Sequence, residues 1–210
     1  MIAVIDYQAG NGTSVLRALR SLGHKAEITS DPEEVKQAER VIFPGVGAAG
    51  AAMDSLRQLE LITVLRQVIE RQTPFLGICL GYQLLFERSL EDNTECLGVL
   101  PGEVVGFPAG MRESESGQAL KIPHMGWNRV DGTAAPRLWQ GIEEDTEFYF
   151  VHSYYPDIPE RSQRELACMY TDYGVDFVSG VHDGNLVGVQ FHPEKSGRPG
   201  LALLDNFCRS

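Results

Sequence analysis

Two periods of apolar and polar residues alternate along the first half of the chain. Residues 2–5 form a short apolar run closed by Asp6 and a glycine-bearing turn, the pattern of a buried strand. Residues 14–22 carry apolar side chains at helical spacing and stop at Gly23, and residues 25–29 read as a second strand. Asp31-Pro32-Glu33-Glu34 marks a helix start, with Asp31 as the cap and proline in the first turn. Residues 41–43 predict a third strand closed by Pro44-Gly45, residues 56–71 one long helix, residues 74–78 a buried strand and residues 80–88 another helix. Strands alternating with helices imply parallel pairing with helices covering the sheet. From about Gly98 the pattern changes to short strands and turns, at residues 103–107, 119–122, 147–151, 166–170, 176–179 and 186–191, ahead of a closing helix over 201–208. Residues 108–117 show no periodicity and predict a mobile surface loop. No repeat or linker interrupts this order. Residues 1–210 are therefore expected to form a single α/β domain, with a mostly parallel central sheet flanked by helices and an antiparallel extension in the second half.

Composition narrows the function classes. A length of 210 residues suits one well-formed core and is short for two independent domains. Hydrophobic residues at 43% and charged residues at 22% exclude a disordered chain. The net charge of −11 repels phosphate backbones and anionic lipid, so neither nucleic acid nor membrane is an expected partner. No apolar stretch reaches bilayer-spanning length, and the start reads as a first strand rather than a signal peptide. Cys79, Cys96, Cys168 and Cys208 include no C-x-x-C pair, which leaves zinc-ribbon and thioredoxin-type sites unsupported. A cytoplasmic location with reduced thiols is expected.

The most informative stretch is Phe75-Leu76-Gly77-Ile78-Cys79-Leu80-Gly81-Tyr82-Gln83. A buried strand runs straight into a helix with a nucleophile-capable residue at the junction. A turn this tight forces a strained backbone at residue 79, and side chains at 77 and 81 would clash, which is the logic of the serine nucleophile elbow. It also sets the thiol at a helix N-terminus, where free amides and the dipole favour the thiolate. A lone G-x-C-x-G fits a small buried hydrophobe between packing glycines equally well. The remainder of the chain decides.

Near the C-terminus stands Gln190-Phe191-His192-Pro193-Glu194-Lys195-Ser196. The residue before proline is pushed toward extended geometry, and residues two apart on an extended segment point the same way. His192 and Glu194 are thus expected to project together, the carboxylate fixing the tautomer of the imidazole and leaving its other nitrogen free as a base. Any single histidine is more simply a satisfied structural residue, and His24, His124, His152 and His182 fit that reading better than a catalytic one. A metal site on Cys79, His192 and Glu194 lacks a fourth ligand at suitable spacing. Gly45-Val46-Gly47-Ala48-Ala49-Gly50 matches G-x-G-x-x-G after a strand, a formal dinucleotide-binding rival. The acidic residue it wants falls near Glu70, inside a helical run before Pro74, so this rival is the weaker reading.

Gly77-Ile78-Cys79-Leu80-Gly81-Tyr82-Gln83 followed far downstream by His192-Pro193-Glu194 resembles the class I, triad-type glutamine amidotransferases, whose fold is flavodoxin-like. Phe43-Pro44-Gly45-Val46-Gly47 looks like that family's oxyanion loop. Pro123-His124-Met125-Gly126-Trp127-Asn128, Tyr149 to Tyr155 and Asp6-Tyr7-Gln8-Ala9-Gly10-Asn11 are similar to the glutaminase subunits of imidazole glycerol phosphate synthases, in histidine biosynthesis. The resemblance covers essentially the whole chain. It implies Cys79 as nucleophile on L-glutamine, His192 as base and acid, and Glu194 as its orienting group. It further implies oxyanion donors at Leu80 and at Val46 or Gly47, and contacts to the substrate's amino-acid end from Gln83 and the Ser153-Tyr154 backbone. No cofactor and no metal are implied. The partner would be a (β/α)₈-barrel cyclase subunit that receives the ammonia, with Trp127 and Lys195 as candidates to face it. Two departures lie near the N-terminus: Gln8 stands where glycine is common, and Gly12-Thr13 replace Leu-Arg. A glutaminase serving anthranilate or pyridoxal phosphate synthesis, and a non-catalytic scaffold of the same fold, are the alternatives.

Overall fold

The computed structural model describes residues 1–8, 11–113 and 117–210. Strand β1 (Ile2–Ile5) leads into α1 (Gly12–Ser21), β2 (Ala26–Thr29), α2 (Pro32–Gln37) and β3 (Arg40–Gly45). Helices α3 (Ala49–Gln58) and α4 (Leu61–Glu70) precede β4 (Phe75–Cys79) and a single-turn α5 (Leu80–Gln83). The second half runs through β5 (Arg88–Ser89), β6 (Thr94–Glu95), β7 (Glu103–Gly106), β8 (His124–Arg129), β9 (Glu147–His152) and β10 (Tyr154–Asp157). A short α6 (Glu160–Gln163) is followed by β11 (Ala167–Asp172), β12 (Asp176–Asp183), β13 (Leu186–Val189) and α7 (Gly197–Arg209).

The central sheet has the order β2-β1-β3-β4-β13-β12-β11. Pairing is parallel from β2 to β13 and antiparallel through β12 and β11, as the alternation followed by short strands implied. Period-two alternation divides the buried residues between two cores. Ala3, Ile5, Val41, Phe43 and Phe75 face α2, α3 and α4 through Val35, Leu56 and Leu65. Ile2, Val4, Ile42, Leu76 and Ile78 face α1 and α7 through Val15, Leu19, Leu203 and Phe207. Both faces are covered, so β1, β4 and β13 are apolar throughout, while the edge strand β2 exposes Glu27 and β3 opens with Arg40. Asp31 caps α2 by accepting from the Glu33 and Glu34 amides at 2.7 and 3.4 Å, the predicted start signal in place.

Three predicted elements differ. The single helix over 56–71 is two, broken at Glu60, which has φ +56°. The reason is a phase slip: Ala49, Ala52, Met53 and Leu56 are buried on α3, and the next buried residue is Leu61. Five residues turn a helix about 140° past a full turn, so one straight helix cannot bury both stripes. The helix over 80–88 ends at Gln83. The carbonyls of Leu84 to Glu87 instead accept from the amides of Cys96, Leu97, Gly98, Val99 and Leu100, so a tertiary partner takes the groups that would have extended it. The strand over 119–122 is reduced to one bridge between Arg112 and Ala119, and the strand lies further on, at β8. There the alternation is inverted: His124 is buried while Met125 and Trp127 are exposed. The loop predicted over 108–117 includes residues 114–116, which lie outside the described residues, as do residues 9 and 10 of the first-loop motif.

Candidate active site

Cys79 ends β4 and stands immediately before α5 with φ +54°, ψ −111°. A non-glycine residue there stores about 1–3 kcal/mol of strain, held by the surrounding packing. The flanking glycines are required by contact. A Cβ on Gly81 would lie 1.8 Å from the Phe43 carbonyl oxygen, and one on Gly77 3.0 Å from the Gly81 oxygen and the Tyr82 Cα. The helix that follows is only four residues long, so the full helix-end environment anticipated for the thiol is reduced to a single turn. The sulfur is nevertheless not sealed: Cys79 lines a cavity of about 370 Å³ together with Val46, Gly47, Leu80 and Gln83 on one side and Val151, Ser153 and Tyr154 on the other.

His192 arrives from the far end of the chain. Its amide donates to the Tyr149 carbonyl at 2.9 Å, and its own carbonyl accepts from the Ser196 hydroxyl at 2.7 Å. His192 is extended (φ −104°, ψ 92°), but residues Pro193–Lys195 turn into a 3₁₀ helix. The turn, rather than a continuous extended segment, brings the Glu194 carboxylate back to His192, with Oε1 2.7 Å from Nδ1. Both side chains are fully buried. The carboxylate makes Nδ1 the protonated nitrogen, and Nε2 has no nitrogen or oxygen partner among the described residues, which leaves the neighbouring Cys79 sulfur as the group it can serve. Burial opposes charge on the imidazole, but the neighbouring Cys79 sulfur and the Glu194 carboxylate outweigh it and raise its pKa. Burial likewise pushes the Glu194 carboxyl up, and the hydrogen bonds and charge of His192, with Asn11, bring it below the usual carboxylate range. The arrangement sets an imidazole that holds its proton strongly beside a sulfur that lines an accessible cavity.

The family model described as "Glutamine amidotransferase class-I" matches residues 3–210. The chain belongs to the class I glutamine amidotransferases. It is 50% identical over 210 residues to the "Imidazole glycerol phosphate synthase subunit HisH" of Nitratidesulfovibrio vulgaris strain DP4, covering 100% of this chain and 96% of the relative. It is 49% identical over 207 residues to the protein of the same description from Moorella thermoacetica, covering 98% and 93%. Among solved structures, "Crystal structure of glutamine amidotransferase" superposes with a TM-score of 0.72 at 18% identity over 99% of this chain and 100% of that one. "Structure of PurLQS from Thermotoga maritima" gives 0.73 at 16% over 99% and 97%. At such identities these two establish the α/β fold alone.

Within this glutamine amidotransferase the cavity gathers Cys79 with the expected oxyanion and substrate residues Val46, Gly47, Leu80, Gln83, Ser153 and Tyr154, while His192 and Glu194 are buried and do not line it; Gln83 and Tyr154 also have internal duties. Gln83 Nε2 donates to the Tyr154 carbonyl at 2.8 Å and to Gln190 Oε1 at 2.9 Å, which leaves Gln83 Oε1 as the atom to offer a ligand. The Ser153 carbonyl accepts from the Phe107 amide at 3.1 Å. Three residues escaped sequence reasoning. Asn11 opens α1 without capping it, and its amide instead donates to Glu194 Oε1 at 2.6 Å. Its place in the first-loop motif was the only signal. Gln190 donates to the Cys79 sulfur at 3.7 Å. Glu91 lines the cavity and accepts from the Ala49 amide at 2.9 Å; as one of 29 acidic residues it carried no signal at all. Gln8 has φ +69°, which explains why glycine suits that position. Gly45 ends β3 with the Tyr7 hydroxyl 1.8 Å from where a Cβ would stand, so packing accounts for it. The strand after the G-x-G-x-x-G run ends in Cys79, not in the acidic residue that a dinucleotide site requires. Trp127 is 53% exposed, which removes the core-packing reading for that residue.

Proposed function

We propose that this chain hydrolyses L-glutamine to glutamate and ammonia as the glutaminase subunit of an imidazole glycerol phosphate synthase, and that residues 1–210 act as one catalytic domain. The observation that carries the reading is the buried imidazole of His192, with Nδ1 held by Glu194 at 2.7 Å and the Cys79 sulfur as its other neighbour, while Cys79 itself lines the cavity. The full-length relatives described as HisH supply the pathway.

The Cys79 thiolate attacks the carboxamide carbon of glutamine, and the carbonyl electrons move to oxygen. The Leu80 amide, with that of Val46 or Gly47, holds this oxyanion; losing one such donor costs about 3 kcal/mol of transition-state stabilisation. His192 Nε2–H protonates the departing nitrogen, ammonia leaves, and a γ-glutamyl thioester remains on Cys79. Neutral His192 then takes a proton from water as it attacks the thioester. Collapse of the second tetrahedral species breaks the carbon–sulfur bond and restores thiolate and imidazolium. Glu194 and Asn11 keep Nδ1 protonated throughout. The Glu91 carboxylate and Gln83 Oε1 receive the substrate's α-ammonium, and backbone groups of Ser153 and Tyr154 complete that end of the cavity.

Ammonia released into water is protonated and loses its nucleophilic lone pair, so an enclosed transfer to a (β/α)₈ cyclase subunit suits the chemistry. The docking face is proposed at β8, where exposed Met125 and Trp127 adjoin Pro123 at the cavity rim. Lys195 lies 5.9 Å over the Tyr149 ring, itself 6.1 Å from Trp127, and extends this face. No helix among the described residues is long and apolar enough to cross a membrane, and the four cysteines are unpaired. A cytoplasmic site of action fits reduced thiols and a small-molecule pathway. The test is glutamine hydrolysis with and without the cyclase. Cys79→Ala is expected to abolish it in both conditions, and the cyclase to stimulate the parent. Activity retained by Cys79→Ala would discard the mechanism; absence of stimulation would discard the partner.

A further inference from the structure

Behind the nucleophile lies a second polar group on the sulfur that the triad does not use. Gln190 follows directly on β13, the strand beside β4, and its side chain is fully buried. Its amide could in principle point either way, since oxygen and nitrogen have the same shape. The partners decide the orientation. The Tyr154 carbonyl can only accept, and Gln83 approaches it at 2.8 Å, so Gln83 presents its NH₂ there. The same NH₂ stands 2.9 Å from the Gln190 amide, which must therefore present oxygen to Gln83. The Gln190 NH₂ is left facing Cys79 Sγ at 3.7 Å. The Tyr154 carbonyl is anchored in turn by His152 Nδ1–H at 2.8 Å.

We propose that Gln190 is a catalytic hydrogen-bond donor to the Cys79 thiolate, locked in that orientation by Gln83. The inference rests on reading Cys79 as the nucleophile. As a thiol, the sulfur has an outlet in the Val151 carbonyl, 4.0 Å away. As a thiolate it can only accept, and Cys79 is 6% exposed, so few water donors reach it. His192 provides one donor, but that proton departs with ammonia. Gln190 cannot lose its donor at any step. Its contribution is greatest when the second tetrahedral species collapses: the carbon–sulfur bond breaks, its electron pair goes to sulfur, and the Gln190 N–H receives the forming charge without transferring a proton.

The test is the pH dependence of Cys79 alkylation by iodoacetamide, followed by mass spectrometry of the Cys79 peptide, in the parent and in Gln190→Met and Gln190→Glu. A hydrogen bond to a charged group corresponds to about one pH unit, so Gln190→Met is expected to raise the alkylation midpoint by that much. Gln190→Glu keeps the shape and the acceptor toward Gln83 but turns an anionic oxygen to the sulfur, and is expected to raise it further. Both should lower kcat more than they raise KM. Circular dichroism checks folding, and if Gln190→Met does not fold, the isosteric Gln190→Glu carries the test. A folded variant with the parental midpoint overturns the proposal. A parent whose Cys79 alkylates like an ordinary thiol and which hydrolyses no glutamine sinks the nucleophile reading instead, so the two failures are distinct.

Discussion

His192 and the His124–His152 pair are all buried, and their surroundings drive them in opposite directions. His192 sits between a thiol and a carboxylate, and both raise its affinity for a proton against the effect of burial. His124 and His152 have only each other, 3.0 Å apart across the β8–β9 pair, with the Asn128 amide at one end and the Tyr154 carbonyl at the other. Burial lowers His124 to about 4 and, with the neighbouring His124, lowers His152 to about 3. His124 also stacks on Tyr173 and Phe150, with centroids 3.8 and 4.7 Å away. The difference is acidic partners. One imidazole is placed to hold a proton, which is what the proposed mechanism asks of it, and the other two are placed to stay neutral, with His152 holding the Tyr154 carbonyl.

Substitutions sharpen that contrast. His192→Ala should lower kcat about 10⁴-fold or more, because nucleophile and base act as a unit. Glu194→Gln should lower it about 10²–10⁴-fold, since the imidazolium loses its counter-charge while Asn11 still holds an oxygen toward Nδ1. Asn11→Ala should cost roughly tenfold in kcat with KM little changed, the worth of one hydrogen bond to a carboxylate. Steady-state kinetics in folded protein reads all three, and an Asn11→Ala enzyme with parental kcat would remove Asn11 from the site. His124→Ala should behave differently: activity within about tenfold of parent, but stability lower by roughly 2 kcal/mol because a buried acceptor is left unpaired. A His124→Ala enzyme as dead as His192→Ala would break the comparison.

The last contrast is in pH dependence. The folded pKa values of His124 and His152 lie below the ordinary value near 6.5, so the unfolded chain binds protons first as pH falls. Their contribution is complete above about pH 6.5 and declines as pH drops toward 4 and then 3, at roughly 1 kcal/mol per unit per residue. His192 has the opposite sign: its contribution is complete below about pH 6.5 and is lost as pH rises through its raised folded value. Glu194, lowered in the fold, contributes above about pH 4.3 and loses that as pH falls through its folded value. Thermal melts between pH 4 and 6.5 should show a shallower slope for His124→Ala than for the parent. An unchanged slope would mean that His124 is already protonated in the fold.

The sequence by itself settled whatever depends on local order. The βα alternation, the Asp31 cap, the Gly77-Cys79-Gly81 elbow and the nearness of Glu194 to His192 all follow from residues close together in the chain, where steric and capping rules act directly. Tertiary structure alone decided what depends on distant partners. The helix after Cys79 stops because carbonyls of residues 84–87 bond to residues 96–100. The β8 strand hides behind inverted alternation because a neutral histidine pair fills its inner face. Asn11 meets Glu194 across 183 positions, and Gln190 meets Cys79 across 111. Asparagine and glutamine side chains are donors anywhere on a surface, and they become part of a catalytic site only where the fold buries them against a charge and leaves no water to compete.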